Sequence, residues 1–152
     1  MGTLKESWLR EGCAEYSKRL GSFTKLTVRE VPEEAAPKSL SSKEAEQLLA
    51  REGAALLKAL PENSHSIALT ISGATYSSEG LAKRLEQLAL GGISQLTFII
   101  GSSLGLSAKV TAVSKEELSL GTFTYPHQLC RLILLEQLYR AFTIHKGMVY
   151  HK

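Results

Sequence analysis

Leu4, Trp8, Leu9, Tyr16 and Leu20 recur at mostly helical spacings, which predicts a helix over Leu4–Leu20 stopped by Gly21. Lys25–Val31 (KLTVREV) alternates polar and apolar positions, the period of a short strand. Pro32 to Ser42, with two prolines and small polar residues, predicts a mobile loop. Ser41 with Glu44 three residues on is a capping-box signature for a helix that runs to about Leu60 and is broken by Pro61–Ser64. Ser66–Ile71 (SIALTI) is a buried-type strand ended by Ser72 and Gly73. Ser77 or Ser78 caps the next helix, which reaches about Leu90 before Gly91 and Gly92.

Gln95–Ile100 (QLTFII) is the most strongly β-forming segment, and it runs straight into Gly101–Ser107. A short helix over Ala108 to about Ser114 and a short strand near Leu118–Thr124 follow; Pro126 then opens a long helix to about Thr143. Alternating strands and helices with short connections imply an α/β layer fold with a mostly parallel sheet. No solenoid-type repeat and no linker is visible, so residues 1–152 read as one domain. The last helix carries Leu129, Leu132, Ile133, Leu135, Leu138 and Phe142, a wider apolar surface than packing on a sheet requires. It suits either a buried core helix or a subunit contact.

Composition narrows the class. The chain has 152 residues, 43% hydrophobic and 22% charged, which excludes a disordered tail or a fibre. Its longest apolar run is too short to span a bilayer, and Met1–Glu6 has no apolar core of a secretory signal. Cys13 and Cys130 then read as reduced packing thiols, and two cysteines with four scattered histidines offer no zinc spacing. A cytoplasmic protein without a metal or a membrane is expected. The net charge of +3 is mild, but from Pro126 onward Arg131, Arg140, Lys146 and Lys152 face only Glu136, so this stretch carries all of it. His127, His145 and His151 lie there too. Such a terminus suits a phosphate-rich partner, or merely complements a helix dipole.

Four places carry candidate chemistry. In open α/β sheets ligands bind beyond the carboxyl ends of strands, which singles out the turn after Ile100. Gly101 and Gly105 allow close backbone approach there, although neither a dinucleotide fingerprint nor a P-loop is present, and an ordinary glycine turn reads equally well. His127 and Arg131, four residues apart, share one face of the last helix. An imidazole at its first turn can accept a proton or a hydrogen bond from substrate, or simply bond to the loop. Arg131 and Arg140 interrupt an apolar surface, where arginine needs a carboxylate or a phosphate, and Glu136 is placed to pair with Arg140. Tyr150-His151-Lys152 combines an aromatic, an imidazole and a cation, able to stack on a base and touch a phosphate unless the tail frays.

Several of these segments together resemble the RlmH family of small SPOUT-class RNA methyltransferases. They are Leu69 within SIALTISG, Ser77–Ala82, Phe98–Gly101 with Leu104–Leu106, Pro126-His127-Gln128 with Arg131, Glu136–Phe142, and the terminal Tyr150-His151-Lys152. The resemblance implies an α/β SPOUT fold with a C-terminal trefoil knot, a rare exception to unthreaded topology. It implies a homodimer that binds S-adenosyl-L-methionine in the knot and methylates N3 of a pseudouridine in 23S rRNA on the ribosome. By resemblance the cofactor contacts fall on Leu69, Gly101, Leu120, Gly121, Thr122, Phe123, Thr124 and Tyr125, and His127, Arg131, Arg140, Tyr150 and His151 face the RNA or the reacting base. The chain departs from the family pattern twice. Members of the family begin with a short apolar strand where Met1 stands here, so either the chain start is misassigned or truncated, or the sheet lacks a strand and has an exposed edge. Ser102 stands where a second glycine is usual, which predicts strain if that position needs positive φ.

Three rival readings stay open: a SPOUT enzyme acting on another RNA such as tRNA, a non-catalytic ribosome-binding protein with Ser102 as the suspect position, and a flavodoxin-like nucleotide binder. The last is disfavoured by the missing phosphate loop.

Overall fold

The computed structural model describes residues 1–34, 37 and 39–151; Ala35, Ala36 and Lys38 of the predicted loop and Lys152 of the tail lie outside the described residues. Five helices and three strands follow one another as α1 Ser7–Leu20, α2 Ser42–Ala59, β1 His65–Ala74, α3 Ser78–Leu90, β2 Leu96–Ile99, α4 Ala108–Val113, β3 Glu116–Leu118 and α5 His127–His145. The strands form a parallel sheet in the order β2-β1-β3. The capping box of α2 is formed: Glu44 N–H donates to Ser41 Oγ, and Ser41 N–H to the Glu44 carboxylate at 2.8 Å. At α3 the cap is Ser77, whose Oγ accepts from Gly80 N–H at 3.0 Å.

Alternation along the strands sends side chains to two cores. Ile67 and Leu118 pack with Cys13 and Leu20 of α1, Leu88 of α3 and Leu134, Leu135 and Leu138 of α5. Ile99 packs with Leu56 of α2, Val110 of α4 and Val31. The helices thus cover both faces of a short sheet, which a parallel sheet needs.

Two strand expectations are corrected. Lys25–Val31 forms no ladder. Strands are held by hydrogen bonds to a neighbour, and across from this segment lies a cavity of about 320 Å³ that separates it from β2 and is lined by Leu26, Val28, Phe98 and Leu134. The β2 edge on that side is therefore open. At one end Met1 and Gly2 bridge the gap: the Met1 ammonium donates to Ile100 O at 2.7 Å and Gly2 N–H to Val31 O at 2.9 Å. The strand expected over Leu118–Thr124 instead spans Glu116–Leu118. Ser119 Oγ accepts from Gly121 N–H and donates to Gly121 O, and Gly121 has φ 118°, so the chain turns out of the sheet.

β1 is bulged where it flanks β3: both Leu69 and Ala74 register with Leu118. The excursion brings Gly73 so close that a Cβ there would sit 2.7 Å from backbone atoms of Glu117 and Leu118. Gly73→Ala is expected to destabilise the fold by about 1–3 kcal/mol, read as a lower denaturation midpoint at unchanged slope.

Candidate cofactor cavity and the two ends of helix α5

A second cavity, of about 720 Å³, opens beyond the carboxyl ends of the three strands. One wall is the turn after β2. Ser102 and Gly105 exchange backbone hydrogen bonds at 3.2 and 3.0 Å, closing a tight loop. Gly101 lies against this loop so closely that a Cβ would stand 2.2 Å from Gly105 O. The facing wall is the chain that leaves β3. Of the residues expected to contact a cofactor, Leu69, Gly101, Leu120, Gly121, Phe123, Thr124 and Tyr125 line the cavity; Thr122 is exposed and does not. Two glycine-bearing loops around an open cleft let backbone groups approach a small organic molecule.

Ser102 is not strained. Asn63 is the one non-glycine residue with positive φ among those described, so the expected backbone penalty at Ser102 is absent. Its side chain is buried and Oγ donates to Glu52 Oε2 at 2.6 Å.

His127 lies on the rim of both cavities. Its Nε2 is buried without a hydrogen-bond partner; the nearest acid, Glu33, is 3.6 Å away, too far for a bond. One turn on, Arg131 Nη1 donates to Glu30 Oε1 at 2.7 Å, while its buried Nε has no partner. Both nitrogens are unpaired but shielded, so a substrate engages them only as binding opens the rim. Burial pushes the Cys13 and Cys130 thiols up, and both are free, which keeps them protonated packing groups.

The other end of α5 holds the tail in place. Arg140 Nε donates to Glu136 Oε1 at 3.0 Å, and its guanidinium lies 4.8 Å from the centre of the Tyr150 ring. Tyr150 Oη donates to Glu136 Oε1 at 3.1 Å and stands 3.2 Å from Tyr16 Oη. Burial, then these two partners, push the Tyr150 phenol far above its ordinary value, so it serves as a donor and not as a base. His151 Nε2 meets Glu79 Oε1 at 2.7 Å and its Nδ1 faces Arg140 Nη1 at 3.4 Å. The Glu79 carboxyl is held down to about 2, first by its own backbone N–H at the start of α3, then by Ser77 and His151. It therefore stays ionised until pH falls well below the usual carboxylate range. The fraying reading fails for Tyr150 and His151; Lys152 lies outside the described residues.

The structure thus brings His127 together with Arg131, and Arg140 together with Tyr150 and His151, but it does not join the two groups. His127 and Arg140 are thirteen positions apart on the helix, about 20 Å along the axis. Sequence reasoning missed Glu30, Glu33 and Glu52. Only Glu52 left a signal, since Leu48, Glu52 and Leu56 are spaced four apart on one helix and all three are buried.

Among the described residues no helix is long and apolar enough to cross a membrane, and no three His, Cys, Asp or Glu side chains converge as a metal site. Residues 1–151 match the family described as Predicted SPOUT methyltransferase. The whole chain is 51% identical to the Ribosomal RNA large subunit methyltransferase H of Listeria monocytogenes serotype 4a (strain HCC23), covering 96% of that protein. At the same coverage it is 48% identical to the protein of that name from Enterococcus faecalis (strain ATCC 700802 / V583) and 47% identical to that from Limosilactobacillus reuteri (strain DSM 20016). With a glycine-walled cavity at the strand ends and full-length likeness to these relatives, the chain belongs to the SPOUT methyltransferases, in their RlmH family.

Proposed function

We propose that this protein is an S-adenosyl-L-methionine-dependent methyltransferase that modifies N3 of a pseudouridine in 23S rRNA, working in the cytoplasm on the ribosome as a homodimer of single-domain subunits. The observation that carries the cofactor assignment is the cavity of about 720 Å³ between the two glycine loops. Its size suits a ligand of nucleoside dimensions, and the missing side chain at Gly101 lets the Ser102–Gly105 turn close against it as one wall. Leu69, Gly101 and the Leu120–Tyr125 loop would hold the donor, with Thr122 contributing through its backbone. The bound donor supplies an already activated methyl group on a sulfonium. The RNA target rests on the names of the relatives, and the trefoil knot on family membership together with the meeting of the 101–107 and 119–125 loops around one cavity.

The residues of this chain supply the proton chemistry. N3 must lose its proton as the methyl arrives, which calls for a base within hydrogen-bond reach and a cation near the developing anion. Both nitrogens of His151 face partners, whereas His127 Nε2 has none and sits on the cavity rim. His127 is accordingly the base, and Arg131, with an unpaired Nε, the cation beside it.

The homodimer is supported by the separation of the two α5 clusters and by the half-buried state of Leu129 and Ile133. In an antiparallel pair of α5 helices, the Arg140–Tyr150–His151 end of one subunit would stand over the His127–Arg131 end of the other.

Two measurements test this. Calorimetry is expected to show S-adenosyl-L-methionine binding; its absence would leave a non-catalytic ribosome-binding protein. Mass spectrometry of rRNA from a deletion strain is expected to show one 23S pseudouridine without its methyl group, whereas a methyl lost from tRNA would point to the other RNA.

A further inference from the structure

Glu52 is an acid in the wrong place for a soluble helix. It lies in the middle of α2, 3% exposed, between the buried Leu48 and Leu56. Burying a carboxylate is costly unless hydrogen bonds replace its water. Here Ser102 Oγ donates to Oε2 at 2.6 Å and Glu34 N–H donates to Oε1 at 3.2 Å. The same Ser102 Oγ accepts from Leu104 N–H at 3.3 Å, within the turn that Ser102 and Gly105 close. The next residue of α2 reaches the other end of this loop. A Cβ on Gly53 would stand 2.1 Å from Ser107 Oγ, so the helix is pressed against Ser107. Two adjacent residues of α2 therefore hold the Gly101–Ser107 loop at both ends, Glu52 by a charge-assisted bond and Gly53 by close approach.

We infer that Glu52 is a positioning residue for the methyl donor: through Ser102 it fixes the Gly101–Gly105 wall of the cavity in its binding shape. The inference rests on the reading of that cavity as the S-adenosyl-L-methionine site. It also gives Ser102 a purpose in this chain. A glycine there could not bond the carboxylate. A loop tethered in advance loses less freedom on binding, and the gain falls on affinity more than on turnover.

The test uses the full chain, with Glu52→Ala, Glu52→Gln, Ser102→Ala and the Glu52→Ala/Ser102→Ala double variant, titrated with S-adenosyl-L-methionine at a temperature where each is folded. Loss of a charge-assisted bond of this kind is expected to weaken binding about tenfold in Glu52→Ala and in Ser102→Ala. The double variant is expected to bind no more weakly than the weaker single, because both remove one tether. Glu52→Gln, which can still accept from the Ser102 hydroxyl, is expected to recover most of the affinity. In the Glu52 variants turnover at saturating cofactor should change little, and in all of them amide exchange should quicken at residues 102–105 while the α2 core stays protected. Unchanged affinity in the variants with only a lower melting temperature, or losses that multiply in the double variant, would overturn the inference. A wild-type chain that does not bind the cofactor would instead overturn the reading beneath it, and the inference with it; the exchange data then report the tether alone.

Discussion

Gly101→Ala is expected to lower cofactor affinity at least a hundredfold while the protein remains folded. The reason is geometric. The new methyl would stand 2.2 Å from Gly105 O, 2.4 Å from its carbonyl carbon and 3.0 Å from its Cα, all backbone atoms that no rotamer change can move. The only relief is to open the Ser102–Gly105 turn, which forms one wall of the cavity. A hundredfold loss corresponds to about 2.7 kcal/mol, within the range of overpacking a tight site. Gly105→Ala is the contrasting case. Gly105 has φ 87° but nothing within 4 Å of the point a Cβ would occupy, so it meets backbone strain of about 1–2 kcal/mol and no clash. Titration calorimetry beside a melting curve separates the two. Wild-type affinity in Gly101→Ala would remove this loop from the binding site.

The places where sequence and structure diverge share a physical cause. Local signals carried through: the Ser41–Glu44 capping box, the Ser77 cap and the apolar run of Gln95–Ile100 all specify structure within a few residues of themselves. Lys25–Val31 has the strand period too, but a strand exists only with a neighbour, and none lies in the space beside β2. Leu118–Thr124 failed for the opposite reason, since a local bond between Ser119 and Gly121 outcompetes the ladder.

The site divides in the same way. His127 and Arg131 share a face at i, i+4, and that much could be read from spacing. Their acids could not, because Glu33 and Glu30 come from a segment about a hundred residues earlier. Glu52 lay between the two cases. A lone carboxylate at an apolar position of α2 declares that something buried must bond to it, without saying that the partner is Ser102, fifty residues away.

Mixed dimers of the proposed homodimer give the sharpest result. Arg131→Ala and Arg140→Ala are each expected to lower turnover at least a hundredfold as homodimers, the usual loss when an electrostatic stabiliser is removed. Arg131→Ala should leave cofactor binding largely intact, since Arg131 bonds to Glu30 and does not line the cavity of the glycine loops. Now let each dimer contain one subunit of each kind. If a site takes its His127–Arg131 end from one subunit and its Arg140–Tyr150–His151 end from the other, one site receives both defects and the second receives neither. Such dimers are expected to recover about half the wild-type turnover, one of two sites being whole. If both ends of α5 served a site within one subunit, every site would carry a defect and the mixture would stay inactive. The 20 Å or so between the two ends of the helix is too far for one base to touch both, which is why recovery is the expected outcome.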